Sequence, residues 1–325
     1  MELIEKVRNN AKKNLKKIVL PEGYEPRVLK AAEFLNKEKL VVPVLLGDQQ
    51  KVKQICAENN INIDGIEVVN PESAKDIGTI GQEYYELRKH KGVKLETAQE
   101  TVKNTLFYGA FMVRHGDVSG AVAGSINTTG DVMRAAIQIV GMAPGIKAVS
   151  SSFIMVMPDG REMAFGDCAV IPNPDPDQLA SIAISSANTY KILVGEEPYV
   201  AMLSFSTKGS AKHEDVDKVL EALEKVKQFD PNLKVDGELQ FDAAILSDVG
   251  KRKAPGSPVA GKANVFVFPD LDAGNIGYKI AQRLAGAEAV GPVVQGLAKP
   301  YNDLSRGCSV DDIINVACIC SVLSN

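Results

Sequence analysis

The chain has 325 residues and a formal net charge of −4, with 45% hydrophobic and 24% charged residues. The composition is normal for a globular protein with a core, and the length suits one large domain or two ordinary ones. Because there is no basic excess, nucleic acid is not expected as the main partner. The net charge does not exclude a local basic pocket that binds a small anion.

The N-terminal segment from Met1 to Lys17 is charged throughout, which predicts an amphipathic helix and not a signal peptide. No stretch reaches the roughly 18 uninterrupted apolar residues of a membrane helix. The odd number of cysteines lacks a CxxC pair, and the scattered histidines form no HExxH motif. These residues are Cys56, Cys168, Cys308, Cys318 and Cys320, and His90, His115 and His213. We therefore expect reduced thiols, no metal, no membrane partner and a cytoplasmic protein.

Short apolar runs alternate with longer amphipathic stretches along the chain. The strand-like runs are Lys17–Leu20, Val41–Leu46, Ile66–Val69, Gly120–Ala123, Phe153–Met157, Val200–Phe205, Val265–Phe268 and Ala289–Val294. The helical patterns are Arg27–Lys37, Leu95–Leu106, Asp131–Val140, Gln178–Ile192, Asp215–Val226, Ile276–Leu284 and Ile313–Leu323. This alternation predicts an α/β fold with buried parallel sheets covered by helices. Such sheets bind ligands at the carboxyl ends of their strands.

Glycine and proline interrupt the pattern at Gly141–Gly145 and at Gly291–Pro300. Both places are typical of joints between domains, and two α/β layers of about 150 residues each would have the usual size. A cleft between two such layers is the default position for a binding site.

The segment Gly124–Arg134, GSINTTGDVMR, follows a strand and opens a helix. A helix N-terminus with free N–H groups is an anion-binding site. The candidate ligands are the hydroxyls of Ser125, Thr128 and Thr129, the open backbone at Gly130, and Arg134 one turn into the helix. The alternative is that Thr129 or Asp131 only caps the helix and that Arg134 is a solvated surface residue.

Two further segments follow strands. Ser204–Ser210, SFSTKGS, resembles a phosphate loop but lacks GxxxxGK[ST], so an ATP-type P-loop is not supported. Ligand contact and a plain polar connection are equally compatible with it. Phe268–Lys279 carries Asp270 and Asp272, which could bind Mg²⁺, but two carboxylates two residues apart are weak evidence for a metal site. We favour a capped helix start for these aspartates.

The segment Lys299–Asp312, KPYNDLSRGCSVDD, precedes the last helical pattern. Ser309 and Asp312 have the spacing of a capping box, which accounts for Asp312 in structural terms. The same reasoning does not account for Arg306, because a cation near a helix N-terminus opposes the helix dipole. We therefore expect an anionic partner for Arg306.

The runs AGSINTTGDVMRAA, LSFSTKGSA, DGELQFDAA, FPDLDAGNIGYKIAQRL and GLAKPYNDLSRGCSVDDI together resemble the phosphate acetyltransferase family in its short form. The resemblance extends from about Leu20 to the C-terminus. It implies two α/β/α-layered domains with a deep cleft, similar to isocitrate and isopropylmalate dehydrogenases, and a homodimer. Residues 1–148 and 297–325 would form the first domain and residues 149–296 the second.

The resemblance also implies an activity: reversible transfer of an acetyl group between coenzyme A and inorganic phosphate, giving acetyl phosphate and free coenzyme A. Coenzyme A would be a substrate, and no cofactor is implied. The family's catalytic aspartate, catalytic serine and substrate-orienting arginine fall on Asp312, Ser305 and Arg306, and its two coenzyme A-binding arginines fall on Arg88 and Arg134. Gly166 and Asp272 depart from the alanine and asparagine expected there.

The implied reaction needs a thiolate, and a free thiol with a pKa near 8.5 is only a few per cent ionised at pH 7. Asp312 serves as the base only if burial raises its pKa or if Arg306 lowers that of the thiol. Ser305 suits an oxyanion, and Arg306 suits a phosphate, together with the hydroxyls of the 124–134 segment. An acyl-cysteine at Cys308 or Cys168 has little support, because no histidine lies near either in sequence.

Three other functions stay open. The first is a phosphate acyltransferase for a longer group such as butyryl, which the volume of the acyl pocket would decide. The second is a non-catalytic sensor that binds acyl-coenzyme A without turnover. The third, a nicotinamide dehydrogenase of the similar fold, ranks last because no strand–GxGxxG–helix unit is present.

Overall fold

The computed structural model describes residues 3–325. By its contacts the chain divides into two compact units, of which the first ends at Gly141 and resumes at Leu297, and the second spans Met142–Gly296. The family resemblance implies boundaries at 148/149 and 296/297, and the Gly/Pro joint at Gly141–Gly145 contains the first boundary seen in the structure. The predicted N-terminal helix is present as Leu3–Lys13, while its first two residues, Met1 and Glu2, lie outside the described part.

Eleven strands and thirteen α-helices make up the described chain. The strands are β1 (Lys17–Leu20), β2 (Val42–Leu46), β3 (Glu67–Val69), β4 (Gly120–Ala123), β5 (Ser150–Val156), β6 (Glu162–Gly166), β7 (Tyr199–Leu203), β8 (Lys234–Leu239), β9 (Val265–Val267), β10 (Glu288–Gln295) and β11 (Tyr301–Asp303). The helices are α1 (Leu3–Lys13), α2 (Pro26–Lys37), α3 (Gln49–Asn59), α4 (Ile77–Arg88), α5 (Leu95–Thr101), α6 (Thr105–His115), α7 (Thr129–Ala135), α8 (Pro176–Val194), α9 (Glu214–Phe229), α10 (Phe241–Ile245), α11 (Ser247–Lys253), α12 (Leu271–Leu284) and α13 (Val310–Leu323).

The sheet of the first unit has five strands in the order β11-β4-β1-β2-β3. All four strand pairs are parallel, as the near-continuous apolar runs predict. From β1 the chain moves outward through β2 and β3, and it returns to add β4 and β11 on the other side. The strand order therefore reverses between β1 and β4, and ligands bind at such a reversal in open α/β sheets.

Helices complete the core of the first unit. The C-terminal helix α13 packs on α1, α2, β1, β4 and β11, so the last segment of the chain is an integral part of this unit. α2 begins where Glu25 accepts a hydrogen bond from the N–H of Arg27, with Pro26 in the first turn, a position that suits proline. α7 continues into a π-helical turn over Ala136–Val140.

The sheet of the second unit has six strands in the order β10-β5-β6-β9-β7-β8. It is mixed, whereas the sequence predicts parallel sheet: β10 and β6 both pair antiparallel with β5. The remaining pairs are parallel. α8 packs against β5, β6, β7 and β9 and starts with a capping box formed by Asp175 and Gln178. No helix of the described residues is long and apolar enough to cross a membrane.

Candidate active site

Three neighbouring parallel strands of the first sheet, β11, β4 and β1, end at the same edge. The loops that follow them are residues 304–309, 124–128 and 21–25. The register pairs Asp303 with Ala123, so the first two loops start side by side. The segment that carries Ser305 and Arg306 therefore lies next to the predicted anion loop, at the point where the strand order reverses.

The anion loop closes around an internal carboxylate, that of Glu22. Oε1 accepts from the backbone N–H groups of Gly124 (3.0 Å), Ile126 (3.1 Å) and Asn127 (3.0 Å), and Oε2 accepts from that of Ser125 (2.8 Å). The Ser125 hydroxyl also donates to Oε2, and the Asn127 amide donates to Oε1 at 2.8 Å. Burial raises the pKa of Glu22, but these hydrogen bonds outweigh it, and the net pKa is below the ordinary value.

The other two hydroxyls of the loop also have internal acceptors. Thr128 caps α7, and its Oγ1 donates to Asp131 Oδ2 at 2.7 Å, while Thr129 Oγ1 donates to Asp303 Oδ2 at 2.6 Å. A hydroxyl has one proton to donate, so each of these protons is already directed to a carboxylate. Their contact with phosphate stays a prediction and requires an exchange of acceptors; the same holds for Ser125.

The loop 304–309 is a tight turn whose central side chains face solvent. The N–H of Cys308 donates to the carbonyl of Ser305 at 2.9 Å, and Ser305 Oγ accepts from the N–H of Gly307 at 3.2 Å. Ser305 and Arg306 are exposed. Within the described range 3–325, no carboxylate pairs with the Arg306 guanidinium, in contrast to Arg134. Arg306 thus leaves a cation open to an anionic ligand.

Asp312 forms the predicted capping box of α13. Its Oδ2 accepts from the backbone N–H of Ser309 at 2.8 Å and from the Ser309 hydroxyl at 2.9 Å, and its own N–H donates to Ser309 Oγ at 3.1 Å. Both bonds to the carboxylate use Oδ2, and the residue is exposed. Asp312 therefore combines a structural role with a carboxylate that faces solvent.

The two arginines expected to bind coenzyme A both act electrostatically on one aromatic side chain, Tyr84. Burial raises the pKa of Tyr84, and the positive charges of Arg88 and Arg134 oppose that rise. Arg134 Nη1 pairs with Asp131 Oδ1 at 2.8 Å. The Nε of Arg88 is buried without a hydrogen-bond partner in the described residues. Gly130 is exposed, with an open backbone beside it.

The second predicted loop, Ser204–Ser210, repeats the arrangement of the first. The buried carboxylate of Glu238 accepts from the Ser206 hydroxyl and from the N–H of Gly209, both at 2.8 Å. Its donors thus serve an internal anion. Asp270 is the N-cap of α12 and accepts from the N–H of Ala273 at 2.8 Å, which confirms the capped helix start. No group of metal-ligating side chains suited to an ion occurs in residues 3–325.

Sequence reasoning missed three residues that organise this edge of the sheet. Glu22 and Arg27 come from the loop after β1 and the start of α2, and Asp303 ends β11. Asp303 is 9% exposed, and burial raises its pKa to about 6. Of the three, only Glu22 had a sequence signal, since it closely follows the apolar run of β1. Cys308 and Cys168 are buried, and burial raises the pKa of both thiols, which argues against an acyl-cysteine.

The fold and these loops define an α/β enzyme whose candidate site offers an unpaired arginine, a serine and a carboxylate to an anionic substrate. Residues 2–321 match the family model described as phosphate acetyl/butaryl transferase. The phosphate acetyltransferase of Thermoanaerobacterium thermosaccharolyticum is 52% identical over 321 residues, which are 97% of each chain. A phosphotransacetylase structure from Streptococcus pyogenes is 42% identical with a TM-score of 0.94, over 99% of this chain and 98% of that one. The chain belongs to this phosphate acyltransferase family.

A more distant likeness bears on the fold alone. A structure assigned to a 4-hydroxythreonine-4-phosphate dehydrogenase from Salmonella typhimurium is 11% identical with a TM-score of 0.57, over 95% of this chain and 99% of that one. The dehydrogenase-like α/β fold is thereby confirmed.

Proposed function

We propose that the protein transfers an acetyl group reversibly between coenzyme A and inorganic phosphate. Full-length relatives named phosphate acetyltransferase support this reaction. The observation that carries the proposal for the site is Arg306, an exposed cation without an internal carboxylate partner in residues 3–325, beside Ser305 at the reversal of strand order. A guanidinium in this position suits a phosphate, which it binds in bidentate geometry.

Asp312 is exposed, so its role as a base relies on Arg306 to lower the pKa of the bound thiol. In the direction of acetyl-coenzyme A synthesis, the thiol gives its proton to Asp312, and the sulfur attacks the carbonyl carbon of acetyl phosphate. Asp312 Oδ1, which takes no part in the helix cap, is the acceptor. The Ser305 hydroxyl donates to the oxyanion of the tetrahedral intermediate. The bond between the carbonyl carbon and the phosphate oxygen then breaks, and phosphate leaves against Arg306. Because acetyl phosphate is already activated, a direct transfer in a ternary complex needs no acyl-enzyme.

Coenzyme A carries several phosphates, and the pair Arg88 and Arg134 suits them. The buried, unpartnered Nε of Arg88 supports a ligand at this position. Arg134 can bind only by exchanging or sharing its ion pair with Asp131. We assign these two arginines to the binding of coenzyme A. Ser305, Arg306 and Asp312 contact the thiol, the acetyl group and the phosphate that react.

A homodimer in the cytoplasm, with small molecules as its other partners, completes the proposal. α12 presents three large apolar side chains spaced four residues apart, Ile276, Ile280 and Leu284, which are 57%, 52% and 83% exposed. Repeats of this spacing form one face of a helix, and a second copy of the chain would bury it. The buried cysteines suit a reducing compartment.

Turnover with matched variants tests the catalytic set. Asp312→Asn is expected to lower kcat about 10²–10⁴-fold, the range of a placed general base, while Asp311→Asn in the same helical turn retains kcat. Arg306→Ala is expected to raise KM for phosphate at least tenfold, and Arg252→Ala serves as its exposed control. Thioester formation from acetyl phosphate and coenzyme A measures kcat, and thioester consumption at varied phosphate concentration, the reverse reaction, measures KM for phosphate. Near-full turnover of Asp312→Asn would remove the base from the mechanism.

The same assay distinguishes the two alternatives. Faster turnover with butyryl-coenzyme A than with acetyl-coenzyme A would assign the protein to longer acyl groups. Binding of coenzyme A by calorimetry without any turnover would indicate a sensor. We expect turnover with acetyl-coenzyme A, at a higher rate than with butyryl-coenzyme A.

A further inference from the structure

We propose that Arg27 is a positioning residue for the transfer reaction, which holds the Ser305–Cys308 turn against the 124–127 loop. This inference rests on the proposed function of Ser305 and Arg306. Arg27 lies in the first turn of α2 and belongs to no ligand set considered above. Its guanidinium reaches the other two loops at this sheet edge, so it connects all three.

The contacts of Arg27 use both terminal nitrogens of its guanidinium. Nη1 donates to the carbonyl of Arg306 at 3.0 Å and to that of Cys308 at 2.8 Å, and Nη2 donates to the carbonyl of Ser125 at 3.0 Å. Nε donates to Glu25 Oε1 at 2.7 Å, and the same oxygen accepts from the backbone N–H of Arg27. The carboxylate of Glu25 thus fixes the orientation of the Arg27 guanidinium through its Nε.

Arg27 and Glu22 bind different backbone groups of the 124–127 loop. Glu22 accepts the N–H groups of the loop, and Arg27 donates to its Ser125 carbonyl. The chain between β1 and α2 therefore supplies one anion and one cation that together fix the loop. Through its bonds to Arg306 and Cys308, the same cation extends this fixed arrangement to the turn that carries the reacting groups.

Only an arginine satisfies these acceptors together. The planar guanidinium presents five donors in a rigid fork, whereas a lysine ammonium is a compact point charge on a flexible stem. One lysine ammonium cannot replace Nη1, Nη2 and Nε together, so Arg27→Lys is expected to lose at least one carbonyl contact and the orientation set by Glu25. A displacement of about 1 Å in a catalytic group costs on the order of 10²-fold in rate. Because the three N–H···O bonds of Nη1 and Nη2 are to backbone carbonyls, the change is expected to act on the position of the turn that carries Ser305.

Kinetics of Arg27→Lys tests the proposal. We expect kcat for acetyl transfer to fall by about 10- to 100-fold, with KM for coenzyme A within about twofold. In Arg27→Ala, millimolar guanidinium is expected to restore part of the lost kcat. Arg114→Lys is the matched control, because Arg114 also bridges a carboxylate and a carbonyl, of Glu83 and Ile139. We expect kcat of Arg114→Lys to change less than threefold. A kcat of Arg27→Lys within twofold of the parent would overturn the inference.

Hydrogen exchange on the same proteins tests the positioning role of Arg27 independently of the rate of acetyl transfer. Arg27→Lys is expected to speed exchange at least tenfold in peptides over 304–309 and 124–127 and to leave α9 unchanged, whereas global unfolding would speed all of them. Unchanged exchange in both loops would contradict the positioning role. A parent that transfers no acetyl group would sink the proposed function, and the exchange result would still decide on Arg27.

Discussion

At the residue scale, two buried carboxyls lie at the same sheet edge, and their pKa values are shifted in opposite directions. Glu22 accepts four backbone N–H groups, which lower its pKa despite burial. Asp303 has a bond from Thr129 to Oδ2, while its Oδ1 is buried without a hydrogen-bond partner in the described residues. The hydrogen bonds to Glu22 outweigh the effect of burial and those to Asp303 do not, so burial alone does not predict the direction of a pKa shift at this site.

The pKa of Asp303 predicts a pH dependence of stability. Its pKa of about 6 in the folded protein exceeds the 3.8 of an unperturbed carboxyl. Folding therefore favours the protonated form, and its contribution to stability is lost as pH rises from about 4 through 6. Relative to the parent, Asp303→Asn should gain at most about 3 kcal/mol over this window, since one pKa unit is about 1.4 kcal/mol. Denaturant unfolding of both proteins between pH 4 and 8 measures the gain. Parallel stability curves would refute it.

At the element scale, β4 and β11 approach so closely where β4 ends that only glycine fits at position 124. A Cβ there would lie 2.4 Å from Asp303 Oδ1 and 2.6 Å from the carbonyl oxygen of Leu304, and φ is +111°. Such a conformation is unfavourable for residues with a side chain. The loops after the two strands are therefore held together by a backbone contact as well as by Arg27.

The contact at position 124 predicts different effects for two glycines of one loop. Gly124→Ala is expected to destabilise the protein by about 3 kcal/mol or more, because the new methyl group meets backbone. Gly130→Ala is expected to be neutral or to stabilise by up to about 1 kcal/mol, because its Cβ would meet only Thr128 Oγ1 at 3.7 Å and alanine favours the helix. Urea unfolding compares the two. Equal losses would show that the contact between the strands is not the cause.

At the scale of the whole molecule, the chain builds most of the first unit, completes the second and then returns to finish the first. The returning segment supplies β11 and α13, and with them Ser305, Arg306 and Asp312. The candidate reacting groups thus depend on the chain ends being joined in one unit.

The proposed homodimer predicts that one charge on the apolar face of α12 separates the subunits. Ile280→Asp is expected to shift the molar mass measured by light scattering from two chains to one at micromolar concentration, because an unpaired charge cannot be buried cheaply. Leu15→Asp, at a side chain 46% exposed outside α12, is expected to retain the dimer. A monomeric parent, or a dimeric Ile280→Asp, would exclude this interface.

The sequence by itself determined the family, the alternation of strands and helices, and the features that depend on near neighbours. The apolar runs of β1 and β4 were predicted at their observed bounds, and the capping box of Ser309 and Asp312 is present. These features could be predicted because hydrophobic periodicity and capping spacings are local. β11 was missed because Tyr-Asn-Asp has no apolar run, although all three residues are buried.

The tertiary structure alone decided how the loops at the strand ends use their donors. The predicted anion loop and the Ser204–Ser210 segment both direct hydrogen-bond donors to internal carboxylates, Glu22 and Glu238. Glu22 lies 103 positions from Ser125, and Arg27 lies 281 positions from Cys308. A loop rich in hydroxyl and glycine residues has the same local pattern whether its anion is a substrate or a glutamate. Only the folded sheet, which brings distant strands to one edge, determines which of the two it binds.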